Sequence, residues 1–157
     1  MLSFAHEGKE KMRNKSKSPI VIIVSRMLSP FIMLFGLYVI FHGHYSPGGE
    51  FQGGAVIAAS IILIRIANDF QVSELQYKSI LGIPLGSLGV LIFYGIGFIA
   101  MFFGNNFLDY EYLTFAGLSS ANARSIGILL IEVGVGLAVV AILVSLFDNL
   151  LGEGDND

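Results

Sequence analysis

Residues 19–41 read PIVIIVSRMLSPFIMLFGLYVIF and run straight into HGHYSPGGEFQGG at 42–54. The first string is apolar except for Arg26, and it exceeds the roughly 20 residues a helix needs to cross a hydrocarbon core. A cleavable leader has only about 7 to 15 apolar residues and a small-residue cleavage site, so the string predicts a retained membrane-spanning helix. Outward from it the pattern recurs, with spans predicted at about 51–67, 81–103 and 124–147. The expected fold is all-α: a polytopic membrane protein with four transmembrane helices. Residues 1–18 form a basic tail, 19–148 the membrane domain and 149–157 an acidic tail.

Composition agrees with that division. In 157 residues, 54% are hydrophobic and 13% charged, where a soluble domain carries roughly 25% charge. Such a length holds one domain. With no Cys, a disulfide framework, a thiolate metal site and a cysteine nucleophile are excluded, and a redox centre would have to sit on another chain. The net charge of −3 and the confinement of the basic cluster to a short tail argue against nucleic acid as a partner.

That tail carries Lys9, Lys11, Arg13, Lys15 and Lys17, which by the positive-inside rule keeps it cytoplasmic. The loop with Lys78 and both termini then face the cytoplasm, and the segment around Ser46 faces outward. The location expected is the cell membrane, with lipid as the immediate surroundings.

At about 100° per residue, Gly82, Gly86, Gly89 and Gly97 fall on one narrow face of the third span, and Gly127, Gly134 and Ala138 on one face of the fourth. Lipid tails are as apolar as Leu, so helices associate through close backbone approach and dispersion contact. The two stripes predict that the third and fourth helices meet.

The densest constellation is His42-Gly43-His44-Tyr45-Ser46-Pro47-Gly48-Gly49-Glu50-Phe51-Gln52-Gly53-Gly54. So many glycines beside a proline predict irregular, tightly packed backbone at membrane depth, with the second helix starting near Glu50 and its carboxylate at the positive end. His42, His44 and Glu50 are too few for a zinc site, and His6 lies too far off to help ligate a haem, so neither metal nor cofactor is expected.

The segment resembles the signature of the B subunit of multisubunit sodium/proton antiporters of the Mrp (also Mnh) type: a His, a short spacer, then Pro-Gly-Gly-Gly-Phe-x-Gly-Gly. Here His44, Pro47, Gly48, Gly49, Phe51, Gly53 and Gly54 match, and Glu50 stands where the family usually has a third Gly. The stretch Leu130-Ile131-Glu132-Val133-Gly134-Val135-Gly136-Leu137 is similar to the family's final helix. The resemblance implies a membrane subunit of a cation/proton antiporter complex, acting as scaffold and ion-path lining beside other membrane subunits, and not an enzyme by itself. Relatives also occur in the ion-translocating arms of membrane-bound hydrogenases and ferredoxin-linked complexes, which is the alternative assembly. From another class, a stand-alone small channel or structural protein is a third reading. Gly95-x-Gly97 and Gly134-x-Gly136 lie inside apolar helices, so a dinucleotide site is excluded.

Four charges lie in or near the membrane. Arg26, roughly 10 Å into the first helix, has a choice between snorkelling and pairing, and Pro30 frees its carbonyl for Ser29 or water. Arg65, at the cytoplasmic end of the second helix, is expected to snorkel or contact phospholipid. Glu50 is a helix-start charge. Glu132 sits deep in the fourth helix, must be neutralised, paired or hydrated, and points away from the small-residue stripe. A partner subunit or a water-filled cavity is the expected neighbour; Glu132 is an ion-path candidate, with Arg26, Arg65 and Glu50 behind it, and the alternative is a protonated Glu132 hydrogen-bonded to a backbone carbonyl, holding an interface without moving ions.

Overall fold

A computed structural model describes residues 18–43, 49–68, 70–103, 106–110 and 119–153. The basic tail, His44, Pro47 and Gly48 lie outside the described residues. The chain forms α1 (Pro19–Phe41), α2 (Gly49–Ala67), a short α3 (Phe70–Gln76), a 3-10 turn (Ser79–Leu81), α4 (Gly82–Phe102) and α5 (Ser120–Glu153). Four of these helices, α1, α2, α4 and α5, are long and apolar enough to cross a membrane.

Pro19 opens α1 at a position where its missing N–H costs nothing. Glu50 lies in the first turn of α2, where the helix dipole favours a carboxylate. α5 begins at Ser120 rather than Arg124 and continues past Phe147 to Glu153, so the first part of the expected acidic tail is helical.

The spans stand in a row: α1 packs on α2, α2 on α5, and α5 on α4, with α1 touching α5 lightly. α2 is accordingly half buried, 50% against 17% for α1. The core between α2 and α5 is Ala58, Ile61, Val140 and Val144, with Met33, Ile57 and Leu143 packed against it.

Each contact in the row is a glycine contact. A Cβ on Gly53 would lie 2.8 Å from the Gly36 carbonyl of α1, and one on Gly54 the same distance from the Gly136 carbonyl of α5. A Cβ on Gly89 would collide with the Gly134 carbonyl and Ala138 across the α4–α5 contact. Bare backbone on both partners brings the helices close enough for dispersion to hold them.

Two expectations are corrected here. The motif glycines Gly49, Gly53 and Gly54 are helical and none has a left-handed φ, so they serve close packing and not irregular backbone. Gly97 and Gly127 do not pack helix on helix. The Phe107 ring occupies the space over Gly97 and the Tyr110 ring that over Gly127, which wedges residues 106–110 between the ends of α4 and α5. Gly82, Gly86, Gly134 and Ala138 do lie in the α4–α5 contact.

Candidate functional site

Arg65 and Glu132 are both buried, toward opposite ends of the helices. At the end where α2 finishes, the Arg65 side chain is 2% exposed. Its Nη1 lies 3.3 Å from Glu74 Oε1, its Nε 3.1 Å from Asp148 Oδ1, and its Nη2 donates to the Tyr77 carbonyl at 2.9 Å. The guanidinium also stands 6.0 Å from the Tyr77 ring centroid. A planar fork with five donors reaches acceptors on several sides at once, a spread that the compact ammonium of a lysine does not match. Arg65 therefore joins α2, α3 and α5 and does not snorkel to lipid.

Ser79 completes this layer. Its hydroxyl is in reach of Glu74 Oε1, at very short range, and of Asp148 Oδ2 at 3.0 Å, while its backbone N–H donates to Glu74 Oε1 at 3.0 Å. The Ser79 hydroxyl bond, above all, holds the Glu74 carboxyl below its ordinary 4.5, with desolvation opposing and the Ser79 N–H and Arg65 assisting. Burial lifts the Tyr77 phenol above its ordinary 10.0, Arg65 opposing and Asp148 reinforcing.

A second polar strip lies beside the first. Arg26 Nε donates to Asn68 Oδ1 at 2.7 Å, so Arg26 pairs with the end of α2. Ser29 Oγ lies 2.8 Å from Ser60 Oγ, Ser60 Oγ donates to the Ser29 carbonyl at 2.8 Å, and Gln76 Nε2 donates to Ser29 Oγ at 3.0 Å. Ser29 thus turns to α2 and leaves the carbonyl freed by Pro30.

The other end is where α1 finishes and α2 starts. Glu132 is 4% exposed, and its carboxylate lies over Gly43: a Cβ there would stand 2.7 Å from Oε1 and 3.0 Å from Cδ. Gly43 in turn touches Gly49, where α2 starts. The Glu132 carboxylate meets its own chain's α1–α2 connection at Gly43. α5 is sandwiched between α4 and α2. Beside this seat, the exposed His42 ring lies against Tyr38 with centroids 4.1 Å apart and its Nδ1 3.2 Å from the Tyr38 carbonyl. Glu50 is half-buried on the first turn of α2, and Phe51 points outward at 59% exposure.

The sequence reading missed Glu74, Tyr77, Ser79 and Asp148 as partners of Arg65. A signal existed: in a four-span chain the second and fourth helices end on the same side, which brings an Arg and an Asp at those ends within reach.

The profile of the family described as "Domain related to MnhB subunit of Na+/H+ antiporter" matches residues 20–145, which takes in most of all four spans. A protein of Staphylococcus aureus (strain Newman) named "Putative antiporter subunit mnhB2" is 31% identical over 139 residues, covering 88% of this chain and 97% of that protein. A Staphylococcus haemolyticus (strain JCSC1435) protein of the same name is 31% identical over 141 residues with the same coverage. Four apolar spans, the glycine-bearing start of α2 and matches running nearly end to end make this chain a member of the MnhB family of Na+/H+ antiporter subunits.

Proposed function

We propose that the chain is an accessory membrane subunit of a multisubunit cation (sodium)/proton antiporter complex in the cell membrane, a scaffold whose Glu132 lines an ion path. The carrying observation is Glu132 itself, a carboxylate 4% exposed within a membrane-spanning helix and seated on the α1–α2 connection. Intramembrane carboxylates are costly and are retained where they pair or handle ions.

The accessory role has its own support. Glu132 and Asp148 are sixteen residues apart on α5, about 24 Å at 1.5 Å per residue. Between them the α2–α5 contact is the apolar core of Ala58, Ile61, Val140 and Val144. An ion crossing the membrane therefore needs surfaces from neighbouring subunits as well as this one.

Orientation follows from the basic tail before α1: both termini and Lys78 are cytoplasmic, and Ser46 is outside or in an outward-facing cavity. The pairing of Arg26 with Asn68 supports placing the start of α1 and the end of α2 on one side. Cysteine labelling suits a chain without Cys, and a Ser46→Cys variant labelled only from the cytoplasmic side would reverse the assignment.

The functional test compares Glu132→Gln with Glu132→Ala in the reconstituted complex. Gln keeps size and hydrogen bonding but does not titrate, so normal assembly with lost proton-coupled cation transport is expected. Full transport by the Gln variant refutes the ion role, and poor assembly of only the Ala variant would then make Glu132 a structural tie. Native mass spectrometry of the complex identifies its neighbours, and hydrogenase or ferredoxin-linked subunits among them would move the chain to a redox-driven assembly.

A further inference from the structure

The glycine contacts fix how far each helix reaches along the membrane normal. Gly43, just past the end of α1, lies against Gly49 at the start of α2 and against the Glu132 carboxylate of α5. The space beside Gly134 is taken by Ile92 and the Gly89 carbonyl of α4, and that beside Gly136 by Ile40 of α1. The α1–α2 connection, Glu132 and Ile92 therefore share one level. Beyond it α4 runs on for ten residues to Phe102 and α5 for twelve to Ser120, about 15 Å and 18 Å at 1.5 Å per residue.

That extra length belongs to the hydrocarbon. Gly82–Phe102 is about 30 Å long, the thickness of a hydrocarbon core, so α4 crosses only with its outer half inside. Phe98, Ile99, Met101 and Phe102 in that half are apolar and exposed. The opposite end shows the converse offset. Arg26 is level with Asn68 beyond the end of α2, yet α1 begins seven residues earlier with the exposed, apolar Ile20, Val21, Ile23 and Val24. The α1–α2 pair is thus displaced toward the cytoplasm relative to α4–α5, and its connection is sunk below the outer surface.

We propose that the sunken connection floors a water-filled recess open to the outer side, and that Glu132 exchanges its proton or cation through it. The inference rests on reading Glu132 as an ion-handling group and on the orientation set by the basic tail, and it adds the route. Backbone outside a helix is tolerated at membrane depth where it is buried in protein or lines water. Gly43 is buried, whereas His42 beside it is exposed. An ionisable imidazole at that depth is costly against acyl chains and is stabilised by water. In the other direction the seam between α2 and α5 is closed by Ala58, Ile61, Val140 and Val144, which offer an ion no ligand and a proton no site. The outer side is therefore the exit that the fold leaves to Glu132.

A chain without Cys allows single cysteines to report on the recess in the whole complex reconstituted into vesicles. His42→Cys samples its floor, and Asn106→Cys, exposed in the connection beyond α4, samples the outer surface. A small, charged, membrane-impermeant thiosulfonate added outside should modify both. A bulky polyethylene-glycol maleimide should modify Asn106→Cys but react with His42→Cys about tenfold more slowly or not at all, and the small cationic adduct at His42→Cys should lower transport about tenfold through its charge. Equal reaction of the bulky reagent at both positions places the connection at the surface and overturns the recess. No reaction of the small reagent at His42→Cys, or reaction only from the cytoplasmic side, overturns it also, the first because another subunit or lipid covers the connection. Full transport by the modified His42→Cys complex overturns the route. Failure of the ion role itself is read separately, as full transport by Glu132→Gln, and the accessibility of His42→Cys does not depend on that result.

Discussion

Arg65 and Glu132 are both buried charges on membrane helices, yet the first ties three elements together and the second stands over a glycine of the α1–α2 connection. Arg65 reaches three elements through Glu74, Asp148 and the Tyr77 carbonyl. Glu132 fits because position 43 has no Cβ. Removing a buried charge whose partners stay behind leaves them uncompensated, so the Arg65 end is expected to be rigid and costly to alter. At the Glu132 end the constraint is steric, since a Cβ added at position 43 meets the flexible tip of Glu132. The first charge joins elements of the bundle, and the second depends on close backbone packing for its place.

The largest effect should come from breaking the crowded end. Arg65→Met strands Glu74 and Asp148 and should destabilise the chain by about 3 to 5 kcal/mol, read as the midpoint of thermal unfolding in detergent micelles by circular dichroism. Adding Asp148→Leu should recover part of the loss. If Arg65→Met melts with the native protein, the two ends do not differ as described.

Next comes the close packing that positions the Glu132 end. Gly54→Leu places a side chain where the Gly136 carbonyl and Val139 already are, and should cost about 1 to 3 kcal/mol or more by overpacking. Gly86→Ala, whose Cβ would lie an ordinary 3.6 Å from Ala141, should change the same midpoint little. Equal losses from the two would mean that the missing Cβ atoms are not what sets helix spacing.

Gly43→Ala tests the seat itself. Its Cβ would press on the far end of a flexible side chain, so a loss of only about 1 kcal/mol is expected, within the ordinary range for overpacking. Combined with Glu132→Ala the two losses should be less than additive, because the clash is gone. Strict additivity would separate Gly43 from Glu132.

The smallest expected effect is the pH dependence of Glu74. Its carboxyl titrates below the ordinary 4.5, so its contribution is fully present above that value and fades as pH falls through the lowered one. Melting midpoints followed from neutral to about pH 3 should fall more steeply in the native chain than in Glu74→Gln. Parallel curves would assign the acid sensitivity to other carboxylates.

The four spans were legible because runs of about 20 apolar residues have few other uses, and the α4–α5 contact was legible because Gly89, Gly134 and Ala138 recur at helical spacing. The motif glycines were legible as important but not in kind. Bare backbone serves a turn and a close helix contact equally well, and only the position of Gly36 and Gly136 across from Gly53 and Gly54 decides between them. The same ambiguity hid what fills the notches at Gly97 and Gly127, since angular arithmetic along a helix says nothing of rings arriving from a connection. Arg65 failed for a different reason. Snorkelling is the fate of a cation with no partner, and its partners Glu74 and Asp148 come from separate elements that only the folded chain assembles.

The order α1, α2, α5, α4 makes the subunit a palisade, one helix thick for most of its width. A palisade has two broad sides and encloses no lumen among the described residues. On the proposed antiporter reading, the ion path runs along one of those sides, with its opposite wall built by neighbouring subunits. On this plan the subunit divides space rather than surrounding it.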